Sequence, residues 1–416
     1  LSLALTPVQA APAAAEKDRA QEVFESARDK VLKIRVVLTE THFQASVGSG
    51  FTVSANGLVV TNFHVVSSFI DRPEQYRIEY VRHDGVSGAL KLIDIDIVHD
   101  LALLRMQAGA TPYFSFISRE MAKGERGFSI GNPHDLGLTI VEGTYNGLIK
   151  ESLYEHLHFT GAINPGMSGG PAITREGTVF GVNVARLVDA QLISFLVPVK
   201  FVARLLAASR AEAIDAKALL ERARDQLLAA QKVNFTRLLD SDLPRTSLGP
   251  YRAPDRLGEF MRCWGRSEDE PNKLYRGNAQ SCSSEDSIFV FDDVRTGSID
   301  FEHLLLESRG MNWLRFYNLL EARHGAARSG IAGPEEDFTP FRCQTEFVGV
   351  AGLDLRAVLC VRAYKRLKGL YDFWLRAATL DSYERALQST LAISGVSFEI
   401  GSRFVRRYLE SIEVQK

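Results

Sequence analysis

From Leu32 to Leu38 apolar residues alternate with polar ones, and Leu32, Ile34, Val36 and Leu38 share one face, the period of a half-buried strand. Just upstream, Val23, Phe24, Ala27 and Val31 recur at helical spacing and predict a short helix leading into that strand. From there to about Pro198, short runs such as YRIEYV, ALKLIDIDIV, DLALLRM and ISFLVPV alternate with glycine-containing turns. Strands at this density predict an all-β barrel or sandwich, between which periodicity does not choose.

The pattern changes after Pro198. The stretch from Val199 to Leu239 is rich in Ala, Leu, Arg and Glu without internal Gly or Pro, and it predicts one long helix or two. Leu219, Leu220, Ala223, Leu227 and Ala230 form an apolar stripe, too short for a coiled-coil seam and better suited to packing within the chain. The Pro, Ser and Asp of LDSDLPRTSLGPYRAPD, about residues 239–255, mark a linker and a domain boundary. Beyond it, alternating runs such as SIFVFDDV mix with helical stretches such as NWLRFYNLLEA, which predicts an α+β domain with an antiparallel sheet.

Length and charge sharpen this outline. The 416 residues allow two or three domains, and a net charge of -2 with 24% charged residues gives no basic field for nucleic acid. No stretch approaches the roughly 20 apolar residues of a membrane span. The start, LSLALTPVQAAPAAA, reads as the remnant of a signal peptide over 1–15, with Val8 and Ala10 placed as at a cleavage site, and so predicts a periplasmic or otherwise exported protein. All four cysteines lie in the last third, and sequential pairing, Cys263 with Cys282 and Cys343 with Cys360, is the choice made among three connectivities. His42, His83, His99, His134, His156 and His158 show no metal-ligand spacing, His156 and His158 are read as surface positions, and neither metal nor cofactor is expected.

Peptide hydrolysis by serine needs an activated hydroxyl, a group that orients the base, and donors for the oxyanion. Ser168 sits in NPGMSGGPA, whose glycines permit a tight turn with the backbone N–H groups of Gly166 and Ser168 converging on one oxygen. His64 closes GSGFTVSANGLVVTNFHVV, and Asp100 opens the apolar DLALL, a setting in which a carboxylate is buried against an imidazole. Asp94 and Asp96 are rival carboxylates, but neither precedes the LALL run.

These segments, with FSIGNPHDLGLTIVEGTYNGL and GVNVA, resemble the HtrA (DegP/DegS-like) family of trypsin-fold serine proteases over about residues 20–205. The resemblance implies an all-β double barrel over 16–205 with a triad of His64, Asp100 and Ser168 in the cleft between the barrels. A helical linker over 206–250 and a Cys-containing α+β domain over 251–416 complete the expected chain. By position in the motif, Ala162, Ile163, Val184 and Ser194 line the specificity pocket, and Asn183 adds a polar rim or binds backbone. None is acidic, so a small or medium aliphatic residue is expected before the cleaved bond. Backbone at 182–184 is expected to pair with an extended substrate. No PDZ carboxylate-binding loop is found after residue 205, so peptide-triggered activation is not carried over. The family further implies protein or peptide substrates and a homotrimer, and the C-terminal domain offers a site for a regulatory partner. The alternatives are a catalytically silent scaffold and a protease latent until a partner orders the loop from Pro165 to Ser168.

Overall fold

Six antiparallel strands close the first barrel: β1 (Val31–Leu38), β2 (Gln44–Thr52), β3 (Leu58–Thr61), β4 (Tyr76–Val81), β5 (Ser87–Asp96) and β6 (Leu101–Met106), in the order β1-β2-β3-β6-β5-β4. The second barrel repeats that order with β7 (Arg126–Gly131), β8 (Thr139–Leu148), β9 (Leu157–Phe159), β10 (Pro171–Ile173), β11 (Val179–Val184) and β12 (Ser194–Pro198). The computed structural model describes residues 19–415 apart from 108, 185–193, 210–214, 285, 293, 327–330 and 332. The signal-peptide reading of 1–15 therefore lies outside the described residues.

The choice that periodicity left open falls to barrels. Alternation along β1 places Leu32, Ile34 and Val36 inside the first barrel. The apolar residues that point out of β1, β2, β6, β7 and β11 meet in a second core between the barrels, closed by α1 (Arg19–Ala27) through Val23 and Ala27. Between β3 and β4 lies α2 (Phe63–Asp71), and the chain leaves the second barrel through α3 (Val199–Ala208).

The segment from 206 to 250 does more than link. The helix α4 (Ala216–Asp240), about 37 Å long at 1.5 Å per residue, buries Leu219, Ala223 and Leu227 in the core of the first barrel and Phe235 and Leu238 in the core of the C-terminal sheet. Its polar residues also bond inward: the Gln226 amide accepts from Ile97 N–H (2.9 Å) and donates to Ile95 C=O (2.8 Å), bridging the backbone after β5. The apolar stripe read from the sequence thus packs within the chain. The Pro- and Ser-rich stretch that follows is folded too, as a hairpin of β13 (Arg245–Leu248) and β14 (Tyr251–Pro254) joined by the terminal strand described below.

Seven antiparallel strands form the sheet of the C-terminal region. They are β15 (Arg262–Glu268), β16 (Tyr275–Ser283), β19 (Ile299–Ser308), β20 (Arg342–Val350), β21 (Leu353–Ala363), β22 (Tyr371–Thr379) and β23 (Arg385–Val396), in the order β15-β16-β19-β23-β22-β21-β20. Between β16 and β19 the chain leaves the sheet as a separate hairpin, β17 (Ile288–Phe291) and β18 (Val294–Thr296). On one face the sheet packs against α4 and α6 (Phe398–Glu410); α5 (Trp313–Ala326) adds Phe316 and Leu320 to a smaller cluster, and β24 (Glu413–Val414) pairs with β14. The two disulfides are Cys263–Cys282 and Cys343–Cys360, as sequential pairing predicts. Each joins directly opposed residues and staples an edge strand, β15 or β20, to its neighbour.

His303 of β19 is wholly buried beside Phe301 and Tyr408, and its Nε2–H donates to the Pro254 carbonyl (2.8 Å). Burial disfavours the imidazolium and lowers the pKa to about 4. Between that value and the usual His value near 6.5, the unfolded chain takes up a proton that the native chain refuses. Stability is therefore full above that range and falls as pH drops through it, by on the order of a few kcal/mol for this group. Urea unfolding at pH 7 and pH 4.5 is expected to show a smaller acid loss in His303→Gln than in the unaltered protein.

Candidate active site

The first turn of α2 has no side-chain cap of its own, since Asn62 at the N-cap position turns its amide elsewhere. Asp100 supplies the missing acceptor from the turn before β6. Its Oδ1 accepts the backbone N–H of His64 (2.9 Å), and its Oδ2 lies 2.7 Å from His64 Nδ1. A carboxylate can only accept, so Nδ1 carries the proton and Nε2 is left as the basic nitrogen. Asp100 adopts φ +54°, a left-handed conformation that Asp tolerates better than most residues. Its carbonyl, bonded by Phe63 N–H (3.1 Å) and Asn62 Nδ2 (2.8 Å), holds it there. The rival carboxylates are engaged elsewhere, Asp94 with Arg222 of α4 (2.5 Å) and Asp96 with His99 Nδ1 (2.7 Å).

Ser168, only 4% exposed, stands in a loop whose carbonyls are fixed one by one. The Pro165 carbonyl accepts His134 N–H (2.9 Å). The Gly166 carbonyl accepts Ser49 Oγ–H (2.7 Å), and that of Ser168 accepts Ser49 N–H (2.7 Å). Met167 C=O takes Gly170 N–H (3.0 Å) and Asn183 Nδ2 (3.3 Å). In a trans peptide the N–H points opposite to the C=O, so anchoring Pro165 and Met167 carbonyls sets the direction of the Gly166 and Ser168 N–H groups. Gly166 is required, because it has φ +94° and a Cβ there would sit 2.3 Å from Asn132 O.

Gly48 is where the two halves of the site meet. A Cβ at this position would lie 2.6 Å from Val65 Cγ2, next to His64 on α2, and 3.0 Å from the Ser168 carbonyl. A side chain here would push the histidine helix and the serine loop apart.

The residues proposed to contact substrate fall into three groups. Val184 is in the wall of a cleft shared with His64 and Asp100. Ile163 N–H donates to Ser194 Oγ (3.2 Å), which donates to Gly161 C=O (2.6 Å), so this hydroxyl shapes the segment beside exposed Ala162. Asn183 is fully buried and its amide bonds Ile130 C=O (3.1 Å) as well as Met167, so it binds backbone instead of forming a rim. One expectation is corrected. Asn183 N–H and C=O are taken by Gly170 and Gly169, and Val182 pairs on both sides, so of residues 182–184 only Val184 is left to face a substrate.

Residues 48–182 match the family described as a trypsin-like peptidase domain. The chain is 36% identical over 144 residues to a protein named probable periplasmic serine endoprotease DegP-like from Chlamydia muridarum, covering 33% of this chain and 28% of that one. It is 31% identical over 175 residues to serine protease HTRA1 of Xenopus laevis, covering 40% and 36%. The two barrels are a trypsin-like peptidase domain similar to those of DegP- and HTRA-named serine proteases.

The chain spans about a third of the length of these relatives. Among solved structures, Deg5 overlaps 47% of this chain and 95% of its own at 27% identity, with a TM-score of 0.40, too loose an overlap to bear on the site. The cleft has a wall that sequence reasoning missed: Phe289 and Arg295 come from the β17–β18 hairpin outside the two barrels, and His156, read as a surface position, lines the same cleft from just before β9. No local signal marks them, because their place depends on how a distant segment packs. No group of three or more His, Cys, Asp or Glu among the described residues is arranged to hold a metal ion.

Two substitutions separate the two halves of the site. Asp100→Asn removes the acceptor that fixes the His64 tautomer and is expected to slow fluorophosphonate labelling of Ser168 by about three to four orders of magnitude. Ser49→Ala leaves the His64–Asp100 pair intact but orphans Gly166 C=O and Asn132 N–H, which donates to Ser49 Oγ (2.9 Å). It should cost about 1–3 kcal/mol per orphaned group in urea unfolding and slow labelling less than Asp100→Asn does.

Proposed function

We propose that the chain is a serine endopeptidase in which Ser168 is the nucleophile, His64 the general base and acid, and Asp100 the group that orients it. The observation that carries this reading is the double engagement of Asp100, one oxygen on the His64 backbone and the other on Nδ1, which leaves Nε2 basic and its ring aimed by the helix. In the first step the Ser168 Oγ–H proton passes to Nε2 as Oγ bonds the scissile carbonyl carbon. The N–H groups of Gly166 and Ser168 hold the resulting oxyanion. The C–N bond then breaks, Nε2 gives its proton to the leaving amine, and an acyl-enzyme remains. Water repeats the sequence with His64 as base, and hydrolysis returns Ser168 and releases the second product.

Ala162, Ile163 and Ser194 contain no carboxylate, which supports an aliphatic residue of small or medium size before the cleaved bond. Unfolded or flexible protein segments fit a cleft that takes extended chain. Two disulfides and relatives named periplasmic support a working place in the cell envelope. No helix among the described residues is long and apolar enough to cross a membrane.

The test is fluorophosphonate labelling of the purified protein together with cleavage of casein, each beside Ser168→Ala. Labelling and cleavage that both vanish in the variant are expected. Cleavage that survives Ser168→Ala, or a wild-type protein that neither labels nor cleaves, would sink this assignment and favour a silent scaffold.

A further inference from the structure

The β17–β18 hairpin belongs to the C-terminal region by sequence and to the protease domain by packing. Ile288, Val290, Phe291 and Val294 are buried in the core of the first barrel together with α2 and α4. The hairpin is fastened at three points. Before it, Asp286 Oδ2 accepts from Ser152 Oγ and Leu153 N–H, both at 2.7 Å. After it, the Gly297 carbonyl accepts Tyr154 O–H (3.0 Å), and Tyr154 Oη in turn accepts from Gln231 Nε2 of α4 (2.9 Å). At its tip the Arg366 guanidinium lies over the Phe291 ring (4.2 Å) and pairs with Asp71 at the end of α2.

Residues alternate faces along a strand. With Ile288 and Val290 buried, Phe289 is half-buried at the edge of the same core: its ring meets Phe63 at 6.4 Å and, toward the cleft, His64 edge-on at 6.0 Å between centroids, with the Arg295 guanidinium 5.7 Å from its centre. Between the hairpin and the His64–Asp100 pair a cavity of about 320 Å³ remains. That is at the lower end of the range for small-molecule sites, so the hairpin walls the cleft without filling it.

Several polar groups in this cavity already have partners within the fold. His99 is held by Asp96, Asp100 by His64, and Tyr154 by Gly297 and Gln231. Ser46, His156, Ser287, Asp292 and Arg295 add polar groups around the cavity, and ring surface and aliphatic carbon come from His64, Phe289, Val98 and Val184.

We propose that Phe289 is a specificity-determining residue, and that the hairpin is the wall of a subsite for an aliphatic or aromatic substrate side chain, the one immediately before the residue at the cleaved bond. This deepens the peptidase reading and rests on it. An extended substrate alternates its side chains. If the residue at the cleaved bond turns toward Ala162, Ile163 and Ser194, its predecessor turns the opposite way, toward His64 and Phe289. The C-terminal region then selects substrates as part of the cleft itself.

The experiment compares peptides that differ only at that position, carrying Ala, Leu, Phe, Asp or Lys, against wild type, Phe289→Ala and Phe289→Leu. Fluorophosphonate labelling of Ser168 is followed in parallel, because it reads the His64–Asp100 machinery without using the subsite. Wild type is expected to favour Leu or Phe over Ala by about tenfold or more in kcat/KM, within the range for apolar pockets. Phe289→Ala should bring that preference to within about twofold while slowing labelling far less than it slows cleavage of the Leu and Phe peptides, and Phe289→Leu should retain most of the preference.

An unchanged preference in Phe289→Ala overturns the proposal. So does an equal gain for all peptides, which would make the ring a plug, or an equal loss accompanied by slower labelling, which would make it only a support for His64. If wild type neither labels nor cleaves, the peptidase reading has failed, and the subsite is then decided by anisotropy of the same labelled peptides on wild type and Phe289→Ala. Selectivity that depends on Phe289 upholds the subsite, and binding indifferent to it overturns the subsite as well.

Discussion

Ser49 joins the two barrels at the point where the chemistry is proposed. Its N–H and Oγ–H donate to the carbonyls of Ser168 and Gly166, its Oγ accepts from Asn132 beyond β7, and its own carbonyl accepts Thr61 Oγ–H (2.7 Å) from β3. One residue of the first barrel thus uses its N–H and its hydroxyl to fix the loop of the second, while its carbonyl ties it to β3. The bonds are buried, where an unmade bond costs more than a made one gains, so the loop has little freedom to choose another conformation. His64 and Asp100 belong to the first barrel and Ser168 to the second. Their mutual placement depends on this junction and on the bare backbone of Gly48 beside it.

The C-terminal region is built into the same object. Helix α4 buries one end in the first barrel and the other in the seven-stranded sheet, with Gln226 and Gln231 bonding outward from its length to β5 and Tyr154. The hairpin of β17 and β18 adds a second tie close to the cleft. A helix read as a linker from its Ala-, Arg- and Glu-rich composition works as a beam, because one face in seven residues is enough to bury it. The stripe visible at Leu219, Ala223 and Leu227 continues through Gln231, whose amide serves a buried hydroxyl in the place of an apolar contact. A polar letter in that position conceals how far the stripe runs.

Much of the candidate site was legible because its constraints are local. A glycine with φ +94° two residues before a serine, a carboxylate ahead of an apolar strand, and a histidine at a strand end each leave a mark within a few positions. The cysteine pairing followed from sequence order because each pair lies on adjacent antiparallel strands and faces its partner directly. Asn183 was ambiguous for a physical reason: an amide serves a pocket rim or a buried backbone equally well, and burial alone separates the two. The backbone at 182–183 looked open to substrate because local sequence does not show that Gly169 and Gly170 already pair with it.

Alternation of period two, helical stripes and glycine placement therefore pointed from the chain alone to the barrel strands, the long helix and the residues of the candidate site, though not to the β13–β14 hairpin read as a linker. The choice of barrels over a sandwich, the use of Asp100 as a helix cap, the role of Ser49 and the aromatic wall supplied by Phe289 came with the packed molecule. Ser49 and Gly166 are 117 residues apart in sequence. Contacts across such distances are selected by shape and by the need to satisfy every buried donor and acceptor at once, and that requirement is a property of the whole fold.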